Sequence, residues 1–183
     1  KIKNYLNLAE NFQIEYSVEP KIDGISASLT YKNGNLISGV SRGDGSTGEL
    51  ITENLKTIND IPKKISFKDF PRDIDIRGEV FITNKNFNKI KESFANARNA
   101  ASGSLRQKDP NETKKIPLNF IAYTFGFIND YKLNKQSEFL KSLKKWGFRT
   151  SSFNKIITGI EELSKYHQEF ENKKHQVEYD LDG

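Results

Sequence analysis

Apolar and polar residues alternate along Ile25–Tyr31 and again along Asp73–Ile82, where Ile74, Ile76 and Val80 recur between polar neighbours. A period of two marks a half-buried β-strand, because successive side chains leave a strand on opposite faces. Ile14–Val18 and Leu36–Ser41 read as further strands, Leu118–Phe127 as a more continuously apolar one, and Val177–Leu181 as the last. Asn33-Gly34 is a strong two-residue hairpin signal, so with Ile14–Val18 before them these strands are expected to form a β-meander that contains Lys21. Helical spacing appears in Lys135–Trp146, with Phe139, Leu140, Leu143 and Trp146 on one stripe, and in Ile160–Phe170.

Shorter helices are expected over Glu49–Leu55, from Thr83 or Asn84 to Ser93, and over Ala97–Arg106. Gly43-Asp44-Gly45 breaks the third strand, and Ser46 or Thr47 can cap the helix after it. Ile2, Tyr5, Leu6 and Leu8 make Lys1–Asn11 look like the tail of a helix that begins upstream. This order predicts an α+β fold, antiparallel sheets flanked by helices, rather than alternating βαβ units.

A chain of 183 residues fits one domain and can bury a sizeable core. It contains no cysteine, which excludes disulfides and thiolate zinc sites within it, and no apolar run near the roughly 20 residues that span a bilayer. The expected setting is the cytoplasm, with no membrane association. A formal charge of +5 suits a polyanionic partner without the density of a dedicated nucleic-acid binder.

The most reactive candidate is Lys21, in Glu19-Pro20-Lys21-Ile22-Asp23-Gly24 at the mouth of an apolar strand, with a glycine that would let a ligand approach the backbone. An amine with an ordinary pKa of about 10.4 is neutral in roughly one molecule in 2,500 at pH 7. A nucleophilic lysine therefore needs its ammonium disfavoured, and Glu19 and Asp23 act in the opposite sense. Positive charge must come from elsewhere, and Arg42, Arg98 and Arg106 can supply it. Arg98 and Arg106 stand eight residues apart, about two helical turns, so they project to a similar side and could clamp phosphates.

Glu79 and Asp182 at strand ends, with Asp23, are hard oxygen donors of the kind magnesium takes through retained waters. Tyr123 sits in an apolar strand, where an aromatic is normally core but becomes a stacking plate for a base if it faces a pocket. The Arg42-Gly43-Asp44 triplet is better explained by a glycine-rich turn than by cell adhesion.

The strings SRGDGSTGE, IRGEV, NARNAASGSLRQ, FIAYTFG and YDLDG follow the lysine in this order between Ser41 and Gly183. Together they resemble the adenylation domain of bacterial NAD-dependent DNA ligases, within the covalent nucleotidyltransferases. The resemblance implies an ATP-grasp-like ligase adenylation fold spanning residues 1–183, truncated at both ends. It also implies that Lys21 attacks the α-phosphorus of NAD to form a lysine–AMP phosphoramidate, and that AMP then passes to the 5′-phosphate of nicked double-stranded DNA before sealing.

By the same resemblance, Glu19 meets the adenine amino group, Tyr123 stacks on adenine, and Glu79 meets the ribose or metal-bound water. Arg42, Arg98 and Arg106 match phosphate and nick contacts, and Asp23 and Asp182 match the family's acids beside the nucleophile. NAD and Mg2+ are the implied cofactors, with a monomeric protein. Ala97 stands where the family commonly has proline, a change that bears on helix initiation. The isolated segment is expected to lack complete ligation, since the family's nicotinamide-binding segment, oligonucleotide-binding barrel, zinc module and helix-hairpin-helix region have no counterpart in it. The alternatives are an ATP- or GTP-dependent nucleotidyltransferase, or a non-catalytic nucleic-acid-binding module in which Lys21 is inert.

Overall fold

The structure is a computed structural model that describes residues 1–42 and 47–183. The turn expected at Gly43-Asp44-Gly45 and the cap expected at Ser46 lie outside the described residues. In chain order the elements are α1 (Ile2–Tyr5), β1 (Glu15–Val18), β2 (Ile25–Lys32), β3 (Asn35–Ser41), α2 (Thr52–Leu55) and β4 (Asp73–Ile82). There follow α3 (Asn84–Phe87), α4 (Ala97–Leu105), α5 (Pro110–Lys114), β5 (Leu118–Ile128), α6 (Gln136–Lys145), β6 (Lys155–Thr158) and α7 (Ile160–Lys173). Four strands form an antiparallel sheet in the order β3-β2-β4-β5, and β1 pairs with β6 in a separate two-stranded sheet, so the meander expected around Lys21 does not form. This is the mixed helical and antiparallel architecture the sequence predicts.

The pleat sorts the side chains. Ala27, Leu29 and Tyr31 of β2, Ile74, Ile76, Val80 and Ile82 of β4, and Phe120 and Ala122 of β5 enter one large apolar cluster. Phe139, Leu140 and Leu143 of α6 and the alanines of α4 share that cluster. Phe81 and Ile121 fall at the intervening positions and join a smaller cluster with Ile22, Val177 and Tyr179 on the opposite face. At about 25 cal/mol per Å² of apolar area removed from water, large side chains such as Phe120 and Tyr31 dominate the stabilisation.

Local chemistry sets the element ends. Asn33 and Gly34 both take positive φ, 48° and 75°, which is the hairpin the dipeptide predicts. The Asn96 side chain caps α4 by accepting from the Asn99 N–H at 2.7 Å, so the helix starts without a proline. Its other end is held by a buried network. Asn54 Nδ2 donates to the Gln107 carbonyl at 2.9 Å and to Thr113 Oγ1 at 2.7 Å, and Thr113 Oγ1 donates to the Ser104 carbonyl at 2.8 Å.

Several expectations need correction. Val177–Leu181 is not a strand. Val177 and Tyr179 are buried, but the chain bends over Val177–Tyr179 and its one strand-like pairing is the bridge of Leu181 to Ile22. The helix over Lys1–Asn11 is one turn, with no buried residue and Asn7 in the left-handed region just beyond it. Glu49–Leu55 is helical only over Thr52–Leu55, because Leu50 bridges back to Val40. The helix expected from Thr83 to Ser93 splits into α3 and a 3₁₀ turn at Lys91–Ser93, with Thr83 capping the first piece.

Two elements were missed. α5 carried a readable start signal, Asp109 as cap and Pro110 at the first turn. β6 has only Ile157 buried in four residues, too little to show a period. Gly24 also serves a purpose other than ligand approach. A Cβ there would stand 2.4 Å from the Val80 carbonyl oxygen and 2.8 Å from Glu79 Cγ. Gly24→Ala is therefore expected to lower stability by about 1–3 kcal/mol in urea unfolding without any nucleotide, through overpacking against backbone. An unchanged midpoint would mean that the strands do not need this close approach.

Candidate active site

A cavity of about 520 Å³ lies against the sheet face opposite the large core, between that face, α4 and the segment leading into β2. Glu19, Lys21, Arg42, Glu79, Arg98, Arg106 and Tyr123 all line it. Asp23 and Asp182 border it through ion pairs with Arg98 and Lys21. The structure thus brings together all nine residues singled out in the sequence.

Lys21 is placed by backbone pairing. Its N–H donates to the Gly183 carbonyl at 2.6 Å, its carbonyl accepts from the Asp182 N–H at 2.8 Å, and the Asp23 N–H donates to the Asp180 carbonyl at 2.9 Å. Ile22, between the two polar residues, is buried in the smaller cluster. The alternation that buries Ile22 turns Lys21 and Asp23 the other way. Lys21 Nζ ion-pairs with Asp182, and Arg98 Nη1 lies 2.8 Å from Asp23 Oδ1.

Two of the three arginines come from one side of α4, and Arg42 follows β3. Ala97, Ala100, Ala101, Ser104 and Leu105 are buried, so α4 turns the stripe Arg98, Ser102, Arg106 toward the cavity. Arg106 Nε meets Glu49 Oε2 at 2.7 Å. These pairs are half exposed or more on the arginine side, and exposed pairs are worth about 0–1 kcal/mol, so an incoming anion can displace them at small cost.

Glu79 lies on β4 opposite Ser26 of β2. Burial pushes its carboxyl up to about 7, against the attraction of Arg98 and Lys21 and a hydrogen bond from Tyr123, with Asp23 adding a smaller upward push. Tyr123 occupies a β-bulge. Arg77 pairs with Thr124 and Gly78 with Ala122, which leaves Tyr123 as the extra residue, and a bulge re-aims the side chain it carries. Its hydroxyl lies 3.0 Å from Ser26 Oγ, and burial raises its pKa.

Among the described residues no cluster of three His, Cys, Asp or Glu could hold a metal ion. Asp23 and Asp182 are each committed to a cation. The donor set therefore fits magnesium only as an ion carried mainly by phosphate oxygens and water, not as one caged by protein. Sequence reasoning missed Ser26, Glu49 and Gln136 at this site. The alternation along β2 could have identified Ser26. Nothing in the sequence connects Glu49 to Arg106, or Gln136 to Glu19 across 117 positions.

The sequence profile described as NAD-dependent DNA ligase adenylation domain matches residues 1–183. A DNA ligase of Pelagibacter ubique (strain HTCC1062) is 57% identical over the whole chain, which covers 27% of that protein. DNA ligases of Bradyrhizobium sp. (strain ORS 278) and Phenylobacterium zucineum (strain HLK1) are 40% and 41% identical over the whole chain, again 27% of each. The chain spans about a quarter of the length of these relatives. No helix among the described residues is long and apolar enough to cross a membrane.

The raised Glu79 carboxyl has a stability consequence. Between its ordinary 4.5 and about 7 the folded state binds more protons than the unfolded state, so this group makes stability fall as pH rises through that window. Glu79→Gln should remove a slope of up to about 1.4 kcal/mol per pH unit from urea unfolding measured across the window. Equal slopes in the two proteins would show that Glu79 is not desolvated as described.

Proposed function

The chain belongs to the family of NAD-dependent DNA ligase adenylation domains, and from that premise we propose that Lys21 accepts AMP from NAD and that the intact protein delivers it to a nick in duplex DNA. The observation that carries this reading is one cavity lined by the accessible Lys21, by Glu19 and Glu79, by the Tyr123 ring and by three arginines.

The lysine amine loses a proton, with Asp182 the nearest base, and its lone pair forms a bond to the α-phosphorus of NAD. The bond from that phosphorus to the oxygen of nicotinamide mononucleotide breaks, and the leaving group takes the electron pair. Arg42, Arg98 and Arg106 would neutralise the phosphate charge that otherwise opposes attack. Tyr123 would stack on adenine. Glu19 would accept a hydrogen bond from the adenine amino group and so reject a base with a carbonyl there.

Magnesium, when bound, would supply further charge neutralisation at the phosphates. Glu79 and Asp182 would hold it through water. Asp23 holds Arg98 in place beside the nucleophile. A cytoplasmic location, a monomeric state and a nicked-duplex substrate belong to the same reading, which applies to the intact protein.

The test uses the intact protein and NAD or ATP carrying label in the adenylate. An acid-labile protein adduct is expected with NAD and magnesium, absent with ATP, absent after chelation, and absent in Lys21→Ala. Label from ATP but not from NAD would favour a different nucleotidyltransferase, and nick sealing undiminished in Lys21→Ala would favour a non-catalytic role. Arg98→Ala and Arg106→Ala should each slow adduct formation by about 100-fold, the scale of losing one charged donor at a transition state.

A further inference from the structure

We infer that Gln136 is a positioning residue for base recognition, fixing which oxygen of Glu19 is presented to the nucleotide. This rests on the assignment of Glu19 and Tyr123 to the adenine site. Gln136 is the first residue of α6, half-buried, far in sequence from both groups it joins. Its Nε2 donates to Glu19 Oε1 at 3.0 Å and to the Tyr123 carbonyl at 2.6 Å. Both hydrogens of the amide are thereby used, and both partners accept only, so the nitrogen and not the oxygen must face them.

The consequence lies in the carboxylate. Ser17 Oγ also donates to Glu19 Oε1, at 3.1 Å. Two donors on one oxygen leave Oε2 as the acceptor for an exocyclic amino group. A freely rotating carboxylate would offer either oxygen in many orientations, and its power to separate an amino group from a carbonyl would fall. The second bond holds the backbone of the bulge that aims the Tyr123 ring, so one amide sets the relative position of the base-reading acid and the stacking surface.

The test measures self-adenylation of the intact protein with NAD and with its hypoxanthine analogue, which has a carbonyl in place of the adenine amino group. Gln136→Met keeps the length and loses both donors, and Gln136→Glu keeps the shape and sets a carboxylate against Glu19. The KM for NAD should rise about tenfold in Gln136→Met and further in Gln136→Glu, with the loss carried in KM more than in kcat. Preference for NAD over the analogue should fall about tenfold in both.

Wild-type preference retained in both variants would overturn the inference, as would an equal loss with the two dinucleotides. Thermal unfolding of each variant separates misfolding from mispositioning: a folded variant with unchanged preference refutes the role, and Gln136→Glu serves if Gln136→Met unfolds. Absence of any adduct in the wild-type protein would instead sink the adenylation reading and this inference with it, an outcome distinct from a wild type that reacts and a variant that keeps its preference.

Discussion

A strand cannot send neighbouring side chains to the same face, and the site depends on that constraint. Val80 and Ile82 are held in the large core, so Glu79 and Phe81 must leave the sheet on the other side. The same alternation in β5 commits Phe120 and Ala122 to the core and Ile121 to the opposite face. One pleat supplies both the hydrophobic stabilisation and the surface on which the polar groups stand. A shift of register by one residue in β4 would bury Glu79 in the core and expose Val80.

The electrostatics follow from what covers that face. The chain from Lys21 to Asp23 pairs with the chain from Asp180 to Gly183, and Gly24 next to it packs closely on Glu79, whose carboxyl is desolvated. Desolvation outweighs the attraction of Lys21 and Arg98 there, which is why the carboxyl is raised although two cations act on it. The cations themselves are partnered by acids in exposed pairs. Each such pair contributes little to stability, so it opposes transfer of its cation to another anion only weakly. On this reading the acids around the lysine hold the arginines in position until a nucleotide arrives.

Much of this was legible in the sequence where the signal is local. The period of two located β2 and β4, a continuous apolar run located most of β5, Asn33-Gly34 located the hairpin, and the spacing of Arg98 and Arg106 placed both on one side of α4. What failed was tertiary. Val177 and Tyr179 alternate as a strand does, yet the segment around them finds a partner mainly in the backbone beside Lys21. The bulge at Tyr123 depends on how Arg77 and Gly78 register against Thr124 and Ala122, partners that lie far along the chain. Gly24 was legible as a special position, but its neighbours Val80 and Glu79 are not neighbours in the sequence. Gln136 carries no local mark, because a helix-starting glutamine is an ordinary residue until its amide meets Glu19.

The most direct measurement is a crystal structure of the intact protein after reaction with NAD. The account predicts AMP joined to Lys21 Nζ, its base against the Tyr123 ring with the amino group toward Glu19 Oε2, and its phosphate within reach of Arg98 and Arg106. A nucleotide joined to another residue, or a base seated away from Tyr123, would contradict it.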